Sequence, residues 1–136
     1  MDKKIEWNYV KEISDENLIS KFEKEFNFIF PSDFKENINF LNGGRPVKNN
    51  IEINFKGRIF QSLLSFNPTD LDNIWDLNLV DSDYFKNNFV AFGLDPFGNL
   101  FVFSKDSKKV GYYLSEVDSV EYVADNFSQM IEKLED

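Results

Sequence analysis

The sequence predicts an α+β domain with an antiparallel sheet, and two observations support this class. Segments with strand periodicity are grouped in the middle and later part of the chain, and segments with helical periodicity stand before and after that group. Such grouping is typical of α+β folds. The chain has 136 residues and contains no internal repeat or linker. We therefore expect a single domain over residues 1–136.

The N-terminus predicts an apolar flap followed by a first helix. The flap comprises Trp7, Tyr9, Val10 and Ile13. Ser14 is a favourable N-cap, and acidic residues at positions 15 and 16 suit the positive end of the helix dipole. Apolar residues then recur at helical spacing, so we expect this helix to reach about Glu25.

The stretch from Phe30 to Gly44 predicts a second helix with a marked start and a marked end. Pro31 suits the first helical turn, where its missing N–H has no intrahelical partner. One apolar face is formed by Phe34, Ile38 and Leu41. Asn42-Gly43-Gly44 is expected to end the helix, because Asn and Gly tolerate the left-handed conformation.

The next stretch predicts a hairpin and then a segment that is hard to assign. Ile51 to Phe55 alternate apolar and polar residues, which indicates a half-buried strand. We expect a tight turn at Lys56-Gly57 and an antiparallel partner strand from Arg58 to Leu64. Asn67 to Asp70 forms a predicted turn. After it, Leu71, Ile74, Trp75 and Leu79 suggest a short helix, and the chain up to Phe85 carries no clear period.

The later part of the chain predicts a meander and a last helix. The expected strands are Asn88–Leu94, Leu100–Phe103, Val110–Leu114 and a short edge strand Ser119–Tyr122. Turn residues separate them, most densely between Asp95 and Asn99. The last helix is expected to start near Val123 and to pack on the sheet through Phe127, Met130, Ile131 and Leu134.

Three motifs in this order resemble the SUKH superfamily. They are Phe30-Pro31-Ser32-Asp33-Phe34 with the ending Phe40-Leu41-Asn42-Gly43-Gly44, the turn Phe92-Gly93-Leu94-Asp95-Pro96-Phe97-Gly98-Asn99, and Ala124-Asp125-Asn126-Phe127. The resemblance covers about residues 15–134, and the region from Pro68 to Phe85 carries no family motif. It implies helices on the outside of a curved antiparallel sheet.

The formal net charge is −9, and the negative surplus lies in the later part of the chain. Residues 1–61 hold ten acidic and ten basic side chains, which leaves fourteen acidic and five basic ones for residues 62–136. Direct binding of nucleic acid is disfavoured, because phosphates need clustered Lys and Arg. A basic protein partner is favoured, since opposite charge speeds encounter. The alternative is that acidity only keeps the protein soluble.

The absence of His and Cys excludes the commonest catalytic and metal-binding groups. Ser-His-Asp and Cys-His catalysis and imidazole or thiolate metal ligation each need one of these residues. The pairs Asp70/Asp72 and Asp81/Asp83 remain as candidate acid–base or cation-binding groups. No glycine lies between Asp70 and Asp83, unlike in an EF-hand loop. We expect no enzyme, no cofactor and no metal site, and interpret these carboxylates as a solvated face.

Two glycine-containing stretches invite a ligand-binding interpretation. Gly43-Gly44 resembles a phosphate cradle only superficially, because no Lys follows at the P-loop spacing. Asp95 and Asn99 are potential metal ligands, but Asp, Pro, Gly and Asn are also the residues that build a tight turn. We interpret both stretches as structural.

Composition also bears on the compartment. The lack of cysteine fits a reducing cytoplasm. Met1-Asp2-Lys3-Lys4 is followed by no apolar run, which predicts that there is no signal peptide. No stretch has the length and apolarity needed to cross a membrane. We therefore expect a cytoplasmic protein without a membrane partner.

The expected partner-binding surface combines acidic residues with aromatic anchors. Its acidic members are Asp70, Asp72, Asp76, Asp81, Asp83, Asp95, Glu116 and Asp118. Trp75, Tyr84 and Tyr112 are candidate anchors, because aromatic residues concentrate binding energy at interfaces. For Trp75 and Tyr112, a position in the core is the equal alternative.

The resemblance implies two functions. The SUKH superfamily contains bacterial immunity proteins and fungal regulators of cell-wall synthesis. Stand-alone members of this length resemble immunity proteins that bind a cognate toxin, often a nuclease, and such a toxin is basic because it holds phosphates. The alternative is a regulatory or scaffolding domain like the fungal relatives. A small-ligand-binding protein, as a third interpretation, needs a deep pocket.

Overall fold

The computed structural model describes residues 5–136, so Met1 to Lys4, on which the prediction about a signal peptide partly rests, lie outside the described residues. In that part of the chain the helices are α1 (Leu18–Phe26), α2 (Ser32–Leu41), α3 (Ile74–Leu77), α4 (Asp83–Asn88) and α5 (Phe127–Glu132). The strands are β1 (Trp7–Asn8), β2 (Arg45–Pro46), β3 (Asn50–Ile53), β4 (Lys56–Ile59), β5 (Ser62–Leu63), β6 (Phe89–Leu94), β7 (Leu100–Ser104), β8 (Val110–Leu114) and β9 (Ser119–Ala124).

The central layer is a five-stranded antiparallel sheet in the order β5-β6-β7-β8-β9. Strands β6 to β9 follow one another without an intervening helix, which confirms the predicted meander and the α+β class. The register shifts between Ala91 and Gly93 in β6 and between Val110 and Gly111 in β8. Such irregularities bend a strand and increase its local twist.

The predicted hairpin exists, but its turn lies two residues earlier than expected. Ile53 pairs with Lys56, so Asn54 and Phe55 form the turn, with φ values of 51° and 65°. Two consecutive left-handed residues match the twist of a two-residue hairpin. Phe55, which the alternation placed on the buried face of the first strand, is 92% exposed. The chain then leaves this hairpin, and β5 joins the central sheet beside β6 rather than extending β4.

Helix α2 lies where it was predicted, whereas α1 begins later than expected. The backbone N–H of Ser14 donates to Asn67 Oδ1 at 2.8 Å, and the N–H of Asn17 donates to Asp15 Oδ1 at 2.8 Å. These bonds hold residues 14–17 outside the helix. The expectation that Ser14 caps it is therefore wrong.

Two further helix boundaries differ from the predictions. Val123 and Ala124 belong to β9, and α5 starts only after Asn126, whose Oδ1 accepts a bond from the backbone N–H of Gln129 at 2.8 Å. In the unassigned segment, α3 begins after Asn73, and Leu71 is 89% exposed, outside any apolar helix face. Helix α4 had no counterpart in the sequence-based assignment.

Asn42 has a different role from the one predicted. Its φ is −50°, and Gly43, with φ of 69°, takes the left-handed conformation after α2. The Asn42 side chain is fully buried: Nδ2 donates to Lys11 O and Ser65 Oγ, and Oδ1 accepts from the Phe66 N–H. Asn42 thus joins the N-terminal segment, the end of α2 and the chain after β5.

The core between the helices and the sheet is rich in phenylalanine. Phe34 of α2 meets Phe127 of α5 edge to face, with ring centroids 5.2 Å apart. Phe92 stacks on Phe103 across β6 and β7 at 4.2 Å. Such pairs contribute beyond their buried area. At the rim, Asp33 Oδ2 accepts from the N–H and hydroxyl of Ser128, which fixes α2 against α5.

Of the described helices, none combines the length and apolar character that a membrane span requires.

Candidate functional site

Five of the predicted partner-binding side chains meet at one open cleft of about 700 Å³. They are Asp76, Asp81, Asp83, Tyr84 and Asp118. We call this the acidic cleft. Its walls are the end of α3, the loop into α4, the first turn of α4 and the turn between β8 and β9. Residues up to forty-two positions apart in sequence are thereby brought together by the fold.

The floor and rim of the acidic cleft are partly apolar. The apolar lining comprises Leu77, Leu79, Val80, Leu100 and the ring of Tyr113. Leu79 is 70% exposed and Tyr84 is 44% exposed. Among the described residues that line the cleft, none is a Lys or Arg, so its four carboxylates have no cation beside them there. This composition suits a protein surface that carries both cationic and apolar groups.

Asp118 is held in place across the acidic cleft. The Tyr113 hydroxyl donates to Asp118 Oδ1 at 2.6 Å, and the Ser82 hydroxyl donates to the same oxygen at 2.7 Å. These two bonds lower the pKa of Asp118, the Tyr113 bond contributing most. Ser82 Oγ also accepts from the Phe85 N–H and so caps α4. The β8–β9 turn and the start of α4 are therefore joined.

The other carboxylates of the acidic cleft differ in how their positions are fixed. Asp76 Oδ2 accepts from Asn73 Nδ2 at 3.0 Å, while its N–H donates to Asn73 Oδ1, a reciprocal cap at the start of α3. Asp81 and Asp83 are exposed. Asp83 lies in the first turn of α4, where negative charge is favoured. Nowhere in residues 5–136 do three acidic side chains form a group that could hold a metal ion.

Asp70 and Asp72 lie away from the acidic cleft. Asp70 Oδ2 accepts from Ser65 Oγ at 2.6 Å and from Asn67 Nδ2 at 3.2 Å. The Ser65 bond chiefly lowers the pKa of Asp70, with smaller contributions from Asn67 and the charge of Lys11. Asp72 lines a separate pocket of about 300 Å³ that also contains Lys11 and Arg45. Both carboxylates therefore face a locally compensated surface.

Asp95 is a structural residue, and its buried carboxylate does not contribute to the acidic surface on which it was expected. It is 2% exposed, and Oδ1 accepts from the N–H groups of Phe97 and Asn99, each at 2.8 Å. Oδ2 accepts from the Tyr112 hydroxyl at 2.5 Å and from Asn99 Nδ2 at 3.1 Å. The side chains of Asp95 and Asn99 therefore stabilise the turn, which is the structural role predicted for them.

Trp75 and Tyr112, for which a position in the core was the alternative, both pack inward. Tyr112 is fully buried, so it cannot serve as a surface anchor. Trp75 is half-buried: its indole N–H donates to Phe66 O at 2.9 Å, and its ring meets Phe22 edge to face at 5.3 Å. Tyr84 alone of the three candidates is markedly exposed.

Glu116 lies outside the acidic cleft, on a neighbouring groove of about 440 Å³. We call this the apolar groove, because Phe97, Leu114 and Val117 line it together with Lys56, Arg58, Asn99, Ser115 and Glu116. Sequence reasoning missed Phe97 and Val117 as surface residues. A large aromatic residue inside a turn as short as Asp95–Asn99 was the available signal, since such a turn leaves it little room to bury.

The fold and the cleft define an antiparallel α+β domain with four carboxylates gathered in one cleft. The comparison with family models identifies its relatives. The model of the SMI1 / KNR4 family (SUKH-1) matches residues 13–133. The chain therefore belongs to this family, which confirms the resemblance. Its domains are generally non-enzymatic proteins with immunity or regulatory roles. A search of curated proteins found no match.

Proposed function

We propose that this domain is a non-enzymatic immunity protein that binds and neutralises a basic bacterial toxin through the acidic cleft. The observation that supports the proposal is the convergence of Asp76, Asp81, Asp83 and Asp118 on one cleft, where residues 5–136 place no Lys or Arg in the lining. These residues come from the part of the chain that holds the whole negative surplus. The family match supports an immunity role as one of two roles known for such domains.

The proposed mechanism is occlusion. A toxin that cleaves nucleic acid holds phosphates with Lys and Arg, and the acidic cleft offers carboxylates to those same side chains. Opposite potentials steer two proteins into contact and raise the association rate. Asp118 is already fixed by Tyr113 and Ser82, so little ordering is needed when it accepts a bond from the toxin.

The alternative is a regulatory or scaffolding domain that uses the same surface on an endogenous protein. The family match favours this alternative as well, because the family includes regulators. The two functions differ in the partner: a toxin arrests growth when it is made alone, and an endogenous target does not.

Affinity capture from the cell that naturally makes the protein separates the two functions. We expect the captured partner to be a basic protein whose expression alone stops growth and whose co-expression with this domain restores it. A partner that is harmless alone, and whose activity this domain alters, supports the regulatory alternative. An acidic partner contradicts the binding mode in either case.

A further inference from the structure

The apolar groove is continuous with the acidic cleft. Ser115 lines both, and the β6–β7 turn contributes Gly98 to the cleft and Phe97 to the groove. Phe97 is 81% exposed and Val117 is 67% exposed. Exposed apolar side chains gathered on one surface mark interaction sites more often than isolated ones do.

The turn that presents Phe97 is held by hydrogen bonds to a buried side chain. Asp95, buried beneath it, accepts bonds from the N–H groups of Phe97 and Asn99. Asn99 Nδ2 donates both to Asp95 Oδ2 and to the Tyr112 hydroxyl, each at 3.1 Å. Within this turn, then, a buried carboxylate fixes the backbone directly below an aromatic ring that faces solvent.

The neighbouring turn is tied to the same unit. The Ser115 hydroxyl donates to Gly98 O at 2.7 Å, and the Ser115 N–H donates to Asn99 Oδ1 at 3.1 Å. Phe97 and Val117 therefore sit on two turns that cannot move independently. A surface that is ordered before binding loses little conformational entropy when it binds.

We propose that Phe97 is the apolar anchor of the partner interface, inserted into a hollow beside the cationic patch of a basic protein. This rests on the proposed function, because the acidic cleft identifies the occupant by charge. The cleft next to Phe97 carries four carboxylates, and the groove adds Glu116 against Lys56 and Arg58, so the combined surface remains negative. A second copy of this chain, with its net charge of −9, would bring like charges together there.

The two halves of the surface have different kinetic roles. The acidic cleft accelerates association, and the Phe97 anchor slows dissociation. Removal of a central aromatic anchor typically weakens binding about 30-fold or more. Phe97→Ala is expected to raise the dissociation rate by about this factor and to change the association rate by less than about threefold.

Site-specific photo-crosslinking in the native cell tests the anchor. The photoreactive amino acid p-benzoyl-phenylalanine is placed at Phe97, at Tyr84 in the acidic cleft, or at Phe40, which is 75% exposed on α2 outside both surfaces. We expect the same basic protein to be crosslinked from Phe97 and Tyr84, with none from Phe40. Mass spectrometry of the Phe97 adduct is expected to map it to an apolar hollow beside Lys or Arg.

The outcomes separate the anchor from the proposed function. A basic protein crosslinked from Tyr84 and not from Phe97 overturns the anchor and leaves the acidic cleft intact. A basic protein crosslinked from Phe97 alone would support Phe97 as the anchor and would show that the acidic cleft lies outside the interface. Crosslinking of Phe97 to a second copy of this chain overturns the anchor, and no adduct from either position contradicts both.

Discussion

The phenolic oxygen of Tyr112 lies 2.5 Å from Oδ2 of Asp95, and both side chains are buried. Tyr112 is in β8, and Asp95 follows β6, so this bond reaches across β7. The bond supplies a hydrogen-bond donor to the Asp95 carboxylate, which is only 2% exposed to solvent. The shape of the β6–β7 turn, and with it the position of Phe97, depends on this pair.

Tyr112→Phe removes the hydroxyl and leaves Asp95 Oδ2 with one bond, from Asn99 Nδ2. We expect the free energy of unfolding to fall by about 1–3 kcal/mol, because a hydrogen bond to a buried charge is lost. Urea denaturation measures the change. Tyr84→Phe is the matched control, since Tyr84 is 44% exposed and its loss is expected to be below about 0.5 kcal/mol. Equal stability of the two variants would contradict the role of the pair.

Alkaline pH is expected to destabilise the protein through two tyrosines. Burial, aided by the hydrogen bonds to Asp95 and Asp118, raises the pKa values of Tyr112 and Tyr113 from 10.0 to about 12. The unfolded chain therefore loses these protons first, so the stabilisation present below pH 10 declines from there to about pH 12.

Urea unfolding midpoints at stepped alkaline pH check this expectation. In the double variant Tyr112→Phe/Tyr113→Phe, the decline with rising pH is expected to be shallower than in the wild type. Identical slopes in the two proteins would show that these tyrosines do not titrate abnormally.

Asn42→Ala is expected to lower the free energy of unfolding by about 2–4 kcal/mol, since it leaves the buried Phe66 N–H without its acceptor and removes two donated bonds. Chemical denaturation measures the change, and Asn39→Ala, at an exposed position near the end of α2, serves as control. A small loss at both positions would mean that the Asn42 side chain is not a structural centre.

The regular helices and strands were predictable because the spacing of their apolar residues indicates which face is buried. Strand β8 was placed at Val110–Leu114 with its observed bounds, and Phe34 and Ile38 of α2 are buried as their spacing predicted. In these segments, local preference and tertiary packing favour the same structure.

The predicted boundaries that were wrong are those that depend on contacts with residues distant in sequence. Ser14 has the chemistry of an N-cap, yet its backbone is bound by Asn67, fifty-three positions away. Val123 and Ala124 fit a helix by spacing, but strand β8 pairs with this stretch. Asn42 tolerates the left-handed conformation, and its burial beside Ser65 and Phe66 uses its amide instead. None of these contacts is visible in a local window of sequence.

The candidate site was predictable in composition and not in geometry. Charge counting selected the acidic residues, and the fold gathers Asp76, Asp81, Asp83 and Asp118 in one cleft. It turns Asp95 inward and places Asp72 beside Lys11 and Arg45. A net charge gives the sign of a surface, whereas the direction of each carboxylate is set by the turn that carries it.

Charge reversal tests whether the acidic cleft recruits a basic partner. Asp81→Lys/Asp83→Lys changes two exposed carboxylates of the cleft. Glu16→Lys/Glu36→Lys makes the same change in net charge at exposed positions outside it. Circular dichroism of both variants confirms that the fold is retained.

The most direct measurement is the association rate constant of each variant with the purified partner, taken by stopped-flow at low and high salt. We expect the cleft variant to associate at least about tenfold more slowly than the wild type at low salt, and the control to stay within about threefold. High salt is expected to reduce the difference in association rate between the cleft variant and the wild type. Equal rates for the cleft variant and the control would show that overall charge, and not this cleft, attracts the partner.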